Sequence, residues 1–276
     1  MTRQQVGIIG GGNMARAIAG GLIRSGFGAG NILIAEPRGE QRALLEREFP
    51  GSVVTGDNDE VALIAGTLLL AVKPQILGTV CRALKTAVQT QRPLVMSIAA
   101  GPTVADIDAW LGGDLEIVRV MPNQPALVDR GISALFANSR TDDFGRILAE
   151  KVMSAVGKVV WIEDESLMDA VTAVSGTGPA YVYLLLDMMI NSALELGLAP
   201  DVARTLVLET ARGAATLALL ETEPMSSLIE RVRSPGGTTT AAFERLDAAD
   251  VRAIFASAIR AARNRAEALA EEARSN

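Results

Sequence analysis

Ser234-Pro235-Gly236-Gly237-Thr238-Thr239 is a stretch suited to holding an anion: hydroxyl side chains flank two glycines just ahead of a helical pattern. No side chain on Gly236 or Gly237 blocks approach. The unpaired N–H groups of a helix start, with the positive end of its dipole, can donate to a carboxylate without any arginine. Upstream, Val174-Ser175-Gly176-Thr177-Gly178-Pro179-Ala180-Tyr181 joins two helical patterns, with Pro179 in the first turn of the longer one, where its missing N–H costs nothing. Near the other end of the chain, Gly10, Gly12 and Ala15 fit G-x-G-x-x-G/A. That motif lies between a short branched run, residues 5–9, and a helical pattern in which Met14, Ala15, Ile18, Ala19 and Leu22 recur, with Asn13 placed to cap it. In this setting it points to a dinucleotide: the first glycine turns, the second lets backbone approach a pyrophosphate, and the small third position lets helix and strand touch. A hydride carrier and a nest for a carboxylate together make reduction of a small acid the natural chemistry.

Composition narrows the mechanism. With no histidine in 276 residues, histidine triads and histidine general acids are excluded, and with Cys81 the sole cysteine the usual zinc and iron ligand sets are missing, so no metal is expected. Cys81 reads as a buried thiol on a helix. A net charge of -6 and the lack of a basic stripe argue against nucleic acid. No apolar stretch of membrane-spanning length and no charged leader are read, so the expectation is a cytoplasmic protein with no membrane partner. The residues are 49% hydrophobic but only 4% aromatic, so the core must be made of Ala, Val, Leu and Ile, as in layered α/β packing and helix bundles.

These residues need elements to position them. Strands are expected at residues 5–9, 31–35, 52–54, 67–72, 93–99 and 115–121, alternating with helices, and the runs at 132–136 and 158–162 can extend the sheet around a helix at 141–156. In an open parallel sheet ligands bind beyond the carboxyl ends of the strands, which gathers GGGN, EPR, VKPQ, SIAAG and MPNQPAL on one edge. After the second strand, Glu36 can accept from the ribose 2′-hydroxyl of NAD, while Arg38 can receive the 2′-phosphate of NADP, and the sequence leaves both open. The fold class is therefore α/β, with a dinucleotide-binding domain at residues 1–162 and an all-α domain at 163–276. Helices are expected there at 166–173, 179–196, 201–220, 225–232, 239–246 and 250–274. The segment YVYLLLDMMINSALEL is apolar around most of its circumference, which predicts a subunit interface.

Taken in order, GGGNMARAIAGGL, AVKPQ, SIAAG, MPNQPALV, AVSGTGPAYVY and SPGGTT resemble the pyrroline-5-carboxylate reductase family over almost the whole chain. The resemblance implies a Rossmann domain, a helical domain that dimerises by interleaving with its partner, assembly of five dimers into a decamer, and use of NADP or NAD. It implies an NAD(P)H-dependent oxidoreductase of proline biosynthesis, with 1-pyrroline-5-carboxylate and L-proline as its small-molecule substrate and product. By similarity Gly10, Gly12, Asn13 and Met14 hold the pyrophosphate and Asn58 lies near the adenosine. Ala71, Val72, Lys73 and Pro74 with Ala99 and Ala100 line the nicotinamide side. Ser234, Gly236, Gly237, Thr238 and Thr239 match the loop for the substrate carboxylate and ring nitrogen, and Glu165 matches an acidic residue near that pocket. An imine protonated before or during hydride transfer is already an electrophile, in keeping with a chain that lacks histidine.

The sequence departs from the family pattern at Gln124, where MPNTP is usual, at Glu223-Pro224-Met225, where a His-Pro pair is usual, and at Glu36, where small hydroxyl residues are common. The rivals are a reductase of another cyclic imine and a non-catalytic NAD(P) sensor. A β-hydroxyacid dehydrogenase would carry a lysine where this chain has Val182.

Overall fold

The computed structural model describes residues 5–275; residues 1–4 and 276, at the outer ends of the two expected domains, lie outside the described residues. All eight expected strands form: β1 (Val6–Ile9), β2 (Ile32–Ala35), β3 (Val53–Thr55), β4 (Thr67–Leu70), β5 (Leu94–Ser97), β6 (Ile117–Met121), β7 (Gly131–Ala137) and β8 (Gly157–Trp161). They make one sheet in the order β3-β2-β1-β4-β5-β6-β7-β8. The helices between them are α1 (Asn13–Arg24), α2 (Gly39–Glu48), α3 (Asn58–Ile64), α4 (Pro74–Gln91), α5 (Val104–Leu111) and α6 (Asp143–Ser154).

Alternate residues of each strand enter opposite cores, because side chains leave a strand with period two. Ile8, Leu69, Met96, Val118 and Val120 join Ile18, Leu22, Val152 and Met153 on one face. Ile9, Leu68, Leu70, Val95 and Ile117 join Val61, Leu77, Leu84 and Ile107 on the other. Strands β1, β2, β4 and β5 are buried along their whole length, which is why they read as unbroken apolar runs. The sheet is parallel from β3 through β6, but β7 runs antiparallel to β6, and β8 follows β7. The link at residues 122–130 holds only a 3-10 turn, shorter than the dozen or so residues that a parallel crossover needs.

The chain divides into two compact units. The sheet unit extends through Thr177 and takes back the chain from Ala261 onward, and the helical unit is Gly178–Arg260. The expected boundary after Ile162 marks the end of the sheet. The compact unit continues through α7 (Met168–Val171) and a π-helical turn at Thr172–Gly176, where the Thr177 N–H donates to the Thr172 carbonyl at 2.9 Å. The helical unit contains α8 (Gly178–Glu195), α9 (Pro200–Leu220), α10 (Met225–Val232) and α11 (Thr238–Ala248), with α8 packed against α9. Helix α12 (Val251–Ser275) begins there and ends in the sheet unit.

One expectation needs correction. Residues Glu165–Glu195 form a single 31-residue helical run that is long and apolar enough, by length and composition, to cross a membrane. The sequence reading broke this run at Gly176, Gly178 and Pro179. The π-helical turn takes in Gly176, and Gly178 and Pro179 are the first two residues of α8, so the glycines and the proline do not end the run.

The end of α12 docks through small residues. Ala266, Ala270 and Ala273 are buried, and Gly101, at φ 102, lies where an added Cβ would come within 2.9 Å of the Ala270 nitrogen. Arg274 Nε donates to Asp106 at 3.0 Å, and Asp106 also accepts from the N–H and hydroxyl of Thr103 at 2.9 and 2.7 Å as part of a capping box on α5. Burial raises the Asp106 pKa, but the bonds from Thr103 and Arg274 outweigh it and hold the carboxyl below its ordinary 3.8. A lowered folded-state value stabilises above the unfolded pKa, and that contribution is lost as pH falls through the folded value. Hydrogen exchange over residues 261–275, corrected for intrinsic rate, should therefore accelerate in acid below that ordinary value, and Asp106→Asn should show the fast exchange already at neutral pH. Gly101→Ala should lower stability by roughly 1–3 kcal/mol in a denaturant titration, since it combines a left-handed backbone with a backbone clash.

Candidate active site

The order of strands reverses between β1 and β4, and the loops at their carboxyl ends meet there. Gly10 makes the turn after β1 at φ 100. Its N–H donates to the Ala35 carbonyl at 2.8 Å, and a Cβ on it would stand 2.8 Å from the Ala71 oxygen. Gly12, at the N-cap of α1, is the opposite case: a Cβ there would meet nothing within 4 Å. Gly12 supplies no side-chain acceptor to the first-turn N–H groups of α1 and leaves the space beside the helix start open, and this fits a pyrophosphate cradle. Asn13 is the first helical residue, a correction to its expected capping role. Ala15 is fully buried, as the small third position requires.

The other expected cofactor residues lie at neighbouring strand ends of the same sheet. Ala71 and Val72 follow β4, with the Ala71 N–H on the Ile9 carbonyl at 2.8 Å; Lys73 is the N-cap of α4 and Pro74 its first residue. Ala99 and Ala100 follow β5, the Ala99 N–H donating to Ser97 Oγ at 3.4 Å. Asn58 opens α3 after β3, beside the cap that Asp57 provides.

Glu36 and Arg38 are not independent groups. The Glu36 carboxylate, 4% exposed, accepts from the Gly11 N–H at 3.0 Å, the Arg38 N–H at 3.1 Å and Arg38 Nε at 2.8 Å. Burial pushes its pKa up, but the bonds from Arg38 and Gly11 outweigh that and hold it below the usual carboxylate value. Gln41, which the sequence reading passed over, donates to the Gly11 carbonyl at 2.6 Å and steadies the same turn.

Glu165 is also engaged within the sheet unit. Its Oε1 accepts from the Val104 N–H at 2.8 Å and from Arg119 at 3.4 Å, and Arg119 reaches Asp169 at 3.1 Å. Arg119 is buried on β6, and a charge inside the apolar run IVRVM was the signal that could have found it. Asn123 links two motifs, accepting from the Ile132 N–H at 3.0 Å and donating to the Ser175 carbonyl at 3.4 Å.

In the helical unit, residues 234–237 form a turn leading into α11, whose first two residues are Thr238 and Thr239. Gly236 takes φ 70 with nothing within 4 Å of a Cβ, and Gly237 is the N-cap of α11 with no side-chain cap. The first-turn N–H groups of Thr238 and Thr239 have no intrahelical acceptor, which suits an anion. The Gly237 N–H is different: it donates to the Ser234 carbonyl at 2.9 Å, so its expected use as an anion donor is corrected to closing the turn. Thr240, which the sequence reading left out, donates its hydroxyl to the same carbonyl at 2.8 Å.

Chemistry by thiolate is remote, since burial pushes the Cys81 thiol up to about 12. Among the described residues no group of three His, Cys, Asp or Glu side chains is placed to hold a metal ion.

Comparison with known proteins agrees with this arrangement of motifs. The family model for pyrroline-5-carboxylate reductase dimerisation matches residues 165–269, and that for coenzyme F420-dependent NADP oxidoreductases matches residues 5–101. The pyrroline-5-carboxylate reductase of Pseudomonas aeruginosa is 42% identical, with the match covering 99% of each chain. The solved structure of a pyrroline-5-carboxylate reductase from Coxiella burnetii matches with a TM-score of 0.88 at 39% identity, covering 96% of this chain and 98% of that one. The pyrroline carboxylate reductase of Plasmodium falciparum, solved with NADP bound, gives 0.87 at 27% identity over the same shares. With a Rossmann sheet, a helical dimerisation domain and relatives matched over nearly their full length, this chain belongs to the pyrroline-5-carboxylate reductase family.

Proposed function

We propose that this chain reduces the C=N bond of 1-pyrroline-5-carboxylate to give L-proline, the last step of proline biosynthesis, with NADP or NAD as the cofactor couple. The observation that carries this reading is the likeness to pyrroline-5-carboxylate reductases along almost the entire chain, with both glycine motifs intact. In this reading residues 1–162 bind the cofactor, and residues 163–276 dimerise and take the substrate.

Bound NAD(P)H supplies the hydride. Gly10, whose own N–H is taken by the Ala35 carbonyl, turns the backbone toward its pyrophosphate, the N–H groups of Gly12, Asn13 and Met14 would hold it, Asn58 would lie by the adenosine, and Ala71, Val72, Lys73, Pro74, Ala99 and Ala100 would border the nicotinamide. Glu36 and Arg38 meet the adenine ribose. The first-turn N–H groups of Thr238 and Thr239 take the substrate carboxylate, on a turn shaped by Ser234, Gly236 and Gly237. The Thr239 hydroxyl faces the ring nitrogen. Hydride adds to the imine carbon while the nitrogen carries a proton, so the reaction needs no strong general acid, which suits a chain without histidine. Glu165 acts by position, holding buried Arg119 and the start of α5.

The unit of function is a homodimer, assembling into a decamer in the cytoplasm. Helix α8 has no buried residue, and Val182, Leu184, Leu185 and Met188 stand about half exposed. A second copy of the chain, rather than a lipid bilayer, is the partner proposed for this apolar surface.

Purified protein with 1-pyrroline-5-carboxylate should oxidise NADPH or NADH, followed by loss of nicotinamide absorbance, with stoichiometric proline. Cofactor binding without turnover would instead favour another imine or a sensor. Thr239→Ala should lower kcat/KM by roughly tenfold to a hundredfold, the range for losing one hydrogen bond to a charged group, while cofactor affinity stays the same. Leu185→Asp should weaken self-association by at least about tenfold in sedimentation experiments, because it buries an unpaired charge at the interface.

A further inference from the structure

The structure assigns Glu36 as the residue that sets cofactor preference, and we infer that this chain takes NADH over NADPH. The inference rests on dinucleotide binding at the Gly10–Gly12 turn and concerns only which dinucleotide that turn selects.

The carboxylate stands at the end of β2, beside the glycine turn, and cannot move aside. Its Oε2 accepts from the Gly11 N–H, which is itself buried, and releasing it would leave that donor without a partner. Packing enforces the same position: a Cβ on Gly11 would lie 3.2 Å from the Glu36 Cβ. The backbone around it is clamped as well, with the Glu36 N–H on the Thr55 carbonyl at 3.0 Å and Arg42 donating to the carbonyls of Glu36 and Pro37 at 2.9 and 2.8 Å.

Arg38, the cation that could receive a 2′-phosphate, is committed to this carboxylate. Its N–H and Nε both donate to Oε1, and the pair is neutral as a unit. On its other side Arg38 borders a surface hollow with Arg47, Gln41, Leu44 and Glu40, so a second carboxylate lies among the cations there. Oε2 differs from Oε1, since its contact with Arg38 Nη2 is long, at 3.4 Å. A ribose hydroxyl, which carries a proton to donate, can take the place of that weak contact. A 2′-phosphate has no such proton at neutral pH and brings nearly two negative charges to an ionised, immovable acid.

Titrating the full-length protein with NADH and with NADPH by calorimetry tests this without turnover. NADH should bind at least about tenfold more tightly, equivalent to about 1.4 kcal/mol. ADP-ribose should show the same advantage over its 2′-phosphorylated form. Glu36→Gln, which keeps an acceptor for the Gly11 N–H while removing the charge, should bring the ratio close to one by tightening NADPH. Glu36→Ser should move it the same way. Equal or tighter NADPH binding by the unsubstituted protein would overturn the assignment, and this comparison does not depend on any variant folding. So would a ratio unmoved in Glu36→Gln, or an Arg38→Ala variant that loses NADPH affinity more than NADH affinity. Failure to bind either cofactor would instead defeat the reading of the glycine turn, and this inference with it.

Discussion

The backbone of Gly10 lies so close to the carbonyl of Ala71 that no side chain could stand between them, and it does so in a conformation that L-residues rarely adopt. This approach brings the end of β1 against the end of β4, where the strand order reverses. The Gly10 N–H is satisfied by β2 on the other side, so three strand ends are tied at one turn. From that turn α1 leaves with its first N–H groups uncovered, and Glu36 is held against Gly11. The uncapped start of α1 and the Glu36 carboxylate thus share one backbone feature, and a displacement of the turn would disturb both.

The sheet and its crevice were legible in the sequence because buried parallel strands leave an unmistakable record. VGII, ILIA, TLLL and LVMS have no polar face to confuse with a helix, and each ends in turn residues. The glycine spacing carried its meaning through sterics alone. Other features left no such record. The antiparallel setting of β7 depends on the length and shape of the link before it. The joining of α7 to α8 depends on a π-helical turn, which glycines and a proline disguise as a break. The pairing of Glu36 with Arg38 is a choice between side-chain partners, and two residues two apart in sequence can equally well face separate ligands. Likewise, that the Gly237 N–H closes its own turn, leaving the donors of Thr238 and Thr239, is a matter of one hydrogen bond that residue types do not specify.

The two units use one device in different ways. In the sheet unit an uncapped helix start follows a glycine that turns against a neighbouring strand. In the helical unit an uncapped helix start follows a glycine that turns over its own loop, stapled by Thr240 to the Ser234 carbonyl. Neither needs a charged side chain to attract an anion, and this is consistent with a chain in which Arg38, Arg119 and Arg274 are engaged with its own carboxylates. These charges serve internal order, and in the proposed function recognition is left to oriented peptide dipoles.

The return of α12 to the sheet unit has a consequence for the order in which the molecule can be made. The sheet and its crevice are encoded before residue 178, yet Ala270 and Arg274, which cover Gly101 and complete the cap at Asp106, emerge only after the whole helical unit. At about 5–20 residues per second of synthesis, the nascent sheet unit waits several seconds for its last piece. During that interval the small-residue surface at the SIAAG loop is open, and the early domain has a need for protection on the ribosome that the finished chain does not.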